Sequence, residues 1–116
     1  MKKILVVAPA FLLLAACASN PALNSNPEST FTCEDNGQVM AAYSDNGQVA
    51  NLNINLPKIG LSNKSITLNQ AVSGSGARYT NGSDPKMSYD WHTKADYGIM
   101  KVSMHNGQEY SVNCKL

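Results

Sequence analysis

From Thr30 onward, apolar and polar residues alternate in short runs separated by turn-forming dipeptides. Val39, Ala41 and Tyr43 fall on one side of such a run, as do Leu52, Ile54 and Leu56, then Met100, Val102 and Met104, then Tyr110, Val112 and Cys114. A period of two is the signature of a strand with one buried face. The pattern predicts strands over 30–34, 38–44, 48–55, 65–73, 77–80, 86–93, 99–105 and 108–114. Four Asn-Gly pairs punctuate them, at 36–37, 46–47, 81–82 and 106–107. Asn-Gly suits a type I′ turn, in which both central residues take positive φ, so each pair predicts a hairpin. The pentapeptide Asp-Asn-Gly-Gln-Val occurs at 35–39 and again at 45–49. Two copies ten residues apart read as successive hairpins of a meander rather than as a solenoid. No helical period supplies a cover for a sheet face. Eight short antiparallel strands must therefore close or stack, which gives an all-β fold, a small barrel or a sandwich. A barrel removes exposed edges, and at this size side chains fill its interior.

The N-terminal segment follows a different rule. Lys2 and Lys3 precede a mostly apolar run over 4–16 with no amphipathic period. This is the form of a secretory leader, and the run is too short for a permanent membrane span, which takes about 20 residues. Pro9 weakens a spanning helix further. The run ends in Leu14, Ala15, Ala16 and Cys17, which resembles the bacterial lipobox. In proteins with that motif the Cys17 sulfur takes a diacylglyceryl group, the leader is cut before Cys17, and the new amine is acylated. Two or more chains hold a protein firmly on a bilayer, whereas one binds reversibly. Ala18, rather than Asp, after the cysteine resembles an outer-membrane address. Residues 18–30 are rich in Asn, Pro and Ser, without apolar period, and read as a flexible tether reaching about 20 Å. The expected organisation is a leader over 1–16, a lipidated Cys17 and tether over 17–30, and a β-domain over 31–116, lipid-anchored and facing the periplasm.

Composition narrows the function. The chain has 116 residues and 43% hydrophobic content, enough for one small domain with a thin core that favours a covalent staple. With Cys17 assigned to lipid, Cys33 and Cys114 remain, and export to an oxidising compartment makes a disulfide their default state. Closing a loop of about 80 residues stabilises a fold by roughly 4 to 5 kcal/mol in the chain-entropy model. No Cys-x-x-Cys is present, and His92 and His105 lack ligand spacing, which argues against a metal site or cofactor. The formal charge of +1 carries no basic run, which excludes an electrostatic nucleic-acid binder. Loss of Lys2 and Lys3 leaves seven basic against eight acidic residues. No Gly-x-Ser-x-Gly elbow supports a hydrolase, and catalysis is not expected.

Two segments carry candidate chemistry. One is Ser73, Gly74, Ser75, Gly76, Ala77, Arg78, Tyr79, a loop that can approach a partner closely. The other is Tyr89, Asp90, Trp91, His92, Thr93, Lys94. Together they resemble the bacterial inhibitors of c-type lysozyme, whose membrane-bound and periplasmic forms share Ser-Gly-x-x-Tyr and Tyr-x-x-x-Thr-Lys-Gly. The first is met by Ser75, Gly76 and Tyr79, and the second by Tyr89, Thr93 and Lys94, with Ala95 in place of the final Gly. The resemblance covers roughly 31–116, and the lipobox selects the membrane-bound branch. It implies an eight-stranded antiparallel barrel closed by a Cys33–Cys114 disulfide, a c-type lysozyme as partner, and a loop inserted into that enzyme's cleft. There the Lys94 ammonium would pair with the ionised catalytic carboxylate, and the Ser75 hydroxyl would bond to the carboxyl pair. Tyr79 and Tyr89 would brace the loops, with Gly76, Arg78 and Thr93 as supporting motif residues. Taken without the resemblance, Ser75 reads as a solvated turn and Lys94 as a solubilising charge. Trp91 is a hot-spot residue type, yet a lone Trp is more often core, so its place stays open. A small-ligand carrier and an envelope scaffold are the rival binding roles.

Overall fold

The computed structural model describes residues 27–81 and 86–116. The leader, Cys17, most of the tether and Gly82 of the third Asn-Gly pair lie outside them. The eight strands are β1 (Ser29–Cys33), β2 (Gln38–Tyr43), β3 (Val49–Leu56), β4 (Leu61–Ala71), β5 (Ala77–Thr80), β6 (Met87–Lys94), β7 (Tyr97–Met104) and β8 (Glu109–Lys115). Each pairs antiparallel with the next, and β8 returns to β1 to close the barrel. The period of two does what it predicts. Val39 and Ala41, Leu52, Ile54 and Leu56, Met100 and Val102, and Val112 and Cys114 all point inward and are buried.

The interior is packed with side chains. Trp91 sits at its centre with no exposure, edge-on to Phe31 at 5.0 Å between ring centroids. Its indole N–H donates to the Tyr43 hydroxyl at 3.0 Å, so the one polar atom of the ring is satisfied. The place left open for Trp91 is therefore the core. Ile54, Leu56, Leu68 and Val102 belong to the same core cluster at zero exposure, and among the described residues no polar or charged side chain is buried with them. A ligand chamber would leave water-accessible surface on these inward faces, and they show none.

Three local expectations are corrected. β4 begins at Leu61 rather than at 65, because Pro57–Ile59 makes a single 3-10 turn that ends on Gly60 at φ 76°. Ser62, Asn63 and Lys64 are exposed, so no alternation marks them; backbone pairing with β3 makes them strand. β7 begins at Tyr97 rather than at 99, and includes Gly98. A Cβ there would lie 2.6 Å from the Trp91 ring, so glycine is the residue that makes room for the indole. Finally, the first, second and fourth Asn-Gly pairs mark hairpins, but none has Asn and Gly as the two positive-φ central residues. In the first, Asp35 and Asn36 take the two positive φ values, 57° and 61°, and the Gly37 N–H donates to the Glu34 carbonyl at 3.0 Å. In the second and fourth only Gly47 and Gly107 are left-handed, and their N–H groups close turns from Ser44 and Met104. The Asn46 and Asn106 side chains accept from the N–H of Gln48 and Gln108 at 3.0 and 2.9 Å, which favours a turn followed by a glycine bulge.

The seam between β1 and β8 is short, with Thr32 opposite Lys115 and Cys33 opposite Cys114. The expected disulfide joins that second pair across a sequence separation of 81.

Candidate functional site

The site grows from the register between β5 and β6. Ala77 faces Thr93, Arg78 faces His92, and Tyr79 faces Trp91. Alternation then sorts the side chains. Tyr79, Tyr89 and Trp91 point into the barrel, while Arg78, Asp90, His92 and Lys94 share the outer parity. The loop over 72–76 leads into β5 and is brought against the end of β6.

Gly76 explains the glycine of the first motif. Its φ is +70°, in the left-handed region, and a Cβ at this position would collide with the Thr93 carbonyl oxygen. The same Cβ would lie 3.2 Å from the Lys94 Cβ. Both conformation and space demand glycine, and the close seat sets Ser75 one residue from the base of Lys94. Within the loop, the Ser73 hydroxyl donates to the Ser75 carbonyl at 2.6 Å. The His92 Nε2 approaches the same carbonyl at 2.8 Å and the Ser73 Oγ at 3.2 Å. Ser75 and Lys94 are both exposed. Among the described residues the Ser75 hydroxyl makes no hydrogen bond and the Lys94 ammonium no ion pair. The two line one surface cavity of about 200 Å³ with His92, Thr93, Tyr97 and Ile99. Tyr97 and Ile99 are apolar walls at 47% and 38% exposure.

The other motif residues serve the frame. Tyr79 is buried, stacks obliquely on Tyr43 at 5.3 Å, and donates its hydroxyl to the Gly47 carbonyl at 2.8 Å. Burial lifts its phenol above the usual value, with Tyr43 adding to the effect. Tyr89 is buried, its hydroxyl meets the Met87 sulfur at 3.3 Å, and its N–H donates to the Asn81 side chain at 2.9 Å. Arg78 is already engaged. Its Nε and Nη2 both donate to one oxygen of Asp90, at 2.9 and 2.7 Å, and that hydrogen bond, followed by the charge of Asp90, raises its pKa. It thus offers a partner less than a free guanidinium would. Ala95, where the family pattern has glycine, takes φ 55° in the two-residue turn between Lys94 and Tyr97. The alanine accepts a left-handed backbone and leaves the hairpin intact.

A larger surface cavity, about 610 Å³, lies over the disulfide seam beside Glu34 and Asp96. It meets the smaller one at Tyr97, and Thr32 and Lys115, opposite each other in register across the seam, bring a hydroxyl and an ammonium to its lining. Among the described residues no three His, Cys, Asp or Glu side chains converge as metal ligands, and no helix is long and apolar enough to cross a membrane. Sequence reasoning reached Ser75, Gly76 and Lys94 through their motifs. It missed the part played by His92 and the apolar pair Tyr97 and Ile99. The signal was present for His92, which lies two residues before Lys94 and so on the same face of a strand.

A family model described as membrane-bound lysozyme-inhibitor of c-type lysozyme matches residues 31–108, a stretch that contains both motifs and strands through β7. No curated protein and no solved structure matches the chain significantly. The family match takes in well over half of the sequence, so the chain belongs to the family of membrane-bound inhibitors of c-type lysozyme.

Proposed function

We propose that this chain is an outer-membrane lipoprotein, anchored through Cys17 and facing the periplasm, that inhibits c-type lysozyme by inserting the 72–76 loop and Lys94 into the enzyme's cleft. The observation that supports it best is the pairing of an unengaged hydroxyl and an unengaged ammonium in one surface cavity. Gly76 against the Thr93 carbonyl places Ser75 beside Lys94, and neither side chain is spent on the protein's own structure. A lysozyme cleft presents an ionised carboxylate next to a protonated one. The ammonium of Lys94 suits the first and the hydroxyl of Ser75 can bond to either. Both contacts would be made in a site closed to water, where charge-assisted hydrogen bonds gain strength. The inhibitor acts by occupancy and carries out no chemistry of its own.

The test is a cell-wall lysis assay with a c-type and a g-type lysozyme side by side. The parent chain should abolish c-type activity at about one equivalent and leave the g-type enzyme active. Lys94→Ala and Ser75→Ala should each weaken inhibition by about 30-fold or more, the effect of removing one partner from a buried polar contact. Full inhibition by both variants would move the contact surface away from this cavity. No inhibition of any c-type enzyme by the parent would remove the proposed mode of action.

A further inference from the structure

We propose that His92 is a positioning residue of this site: it clasps the 73–75 loop to the outer wall of the barrel and so fixes where the Ser75 hydroxyl stands beside Lys94. The inference rests on the inhibitor reading above and adds a residue that neither motif specifies, since the second motif leaves this position open.

The hydrogen bonds define the clasp. A carbonyl oxygen can only accept, so the 2.8 Å contact between His92 Nε2 and the Ser75 carbonyl requires a proton on Nε2. The Ser73 hydroxyl has already given its hydrogen to that carbonyl, at 2.6 Å. Toward the ring, 3.2 Å away, its oxygen is left as an acceptor. It is likewise the acceptor for the Ser75 N–H at 3.4 Å. The imidazole N–H therefore points between two oxygens of the loop, and the neutral Nε2–H tautomer and the charged ring both supply that donor. On the other side of Ser75, Gly76 is wedged against the Thr93 carbonyl. The peptide planes on either side of the Ser75 Cα are thus both held, and the side-chain torsion is the main freedom left to the hydroxyl.

The loop needs such a clasp because little else restrains it. Gly74 has open space around the position of a Cβ, and Gly74, Ser75 and Gly76 are all exposed. A Gly-Ser-Gly segment without a tether samples many conformations and would lose that freedom on binding. His92 itself is well placed to act as a post. Its strand neighbours are Arg78 on β5, occupied by Asp90, and Ile99 on β7. Lys94 follows on the same face.

The experiment uses the full chain in detergent and compares the parent with His92→Phe, His92→Gln and Lys94→Ala. Phenylalanine keeps a planar ring and removes the donor, while the glutamine amide can place an N–H near the position of Nε2. Two readouts are taken: amide hydrogen exchange of the free protein over 72–77, and inhibition of a c-type lysozyme. His92→Phe should speed exchange in the loop, leave it unchanged over β2 and β3, and weaken inhibition by about tenfold, the scale of one hydrogen bond. His92→Gln should recover inhibition to within about threefold of the parent, a rescue that loss of ring packing would not show. Parent-like exchange or parent-like inhibition in His92→Phe overturns the proposal, as does a His92→Gln variant no better than His92→Phe. If Lys94→Ala weakens inhibition and His92→Phe does not, the site stands and the positioning role falls. If the parent does not inhibit, the inhibitor reading falls and takes this inference with it.

Discussion

Ala95 shows what a single side chain costs at this site. Its φ of 55° places a Cβ close to the following carbonyl, a conformation that costs an L-residue roughly 1 to 2 kcal/mol. Glycine removes that strain but gives some of the gain back through the greater freedom of the unfolded chain. Ala95→Gly should therefore raise stability by about 1 kcal/mol, or several degrees in Tm for a domain of this size. Thermal or urea unfolding reads this directly, and an unchanged or lowered midpoint would mean that the turn relaxes to suit alanine. Gly98 is the opposite case. There the limit is space, and Gly98→Ala would drive a methyl group to within 2.6 Å of the Trp91 ring. The expected loss is about 1 to 3 kcal/mol, the usual range for overpacking, with a shift in the emission of the only tryptophan. A stable variant with unaltered emission would show that the indole can move aside.

At the scale of elements, the repeated pentapeptide separates what local sequence controls from what it does not. Asp-Asn-Gly-Gln-Val makes a hairpin at both 35–39 and 45–49, yet the two turns differ. Gly37 is buried, and a Cβ on it would sit 3.0 Å from Leu56 and 3.2 Å from Cys33; Gly47 has open space around it. The same residues thus place positive φ on Asp35 and Asn36 in one copy and on Gly47 in the other. Alternation made the strands and the inward residues legible, because burial on one face is written at a period of two. The start of β4 was illegible because pairing, rather than burial, makes it strand. The site divides in the same way. Gly76 and Lys94 could be reached from motif spacing, and Gly76 then gained its reason from the Thr93 carbonyl. Spacing places His92 on the face of Lys94, but its clasp on Ser73 and Ser75 depends on how a loop folds back on a strand.

The whole molecule is held as a ring by unequal joints. Seven of its strand pairings join sequence neighbours, and the eighth, β1 with β8, has two register pairs and the disulfide. A crosslink over 81 residues restricts the unfolded chain by about 4 to 5 kcal/mol, so replacing Cys33 and Cys114 together by alanine should lower unfolding stability by about that amount. A loss below about 1 kcal/mol in urea unfolding would mean that the seam is held by its packing. The short seam also sets an order of events. Each hairpin can form as soon as its own residues meet, whereas closure must wait for strands 81 residues apart to find one another. Until then the protein is an open sheet whose first and last strands both present unpaired N–H and C=O groups. Those bare edges can pair with a neighbouring copy. The danger of aggregation thus attaches to the interval before closure, and the Cys33–Cys114 bond, once formed, keeps the two edges from parting again.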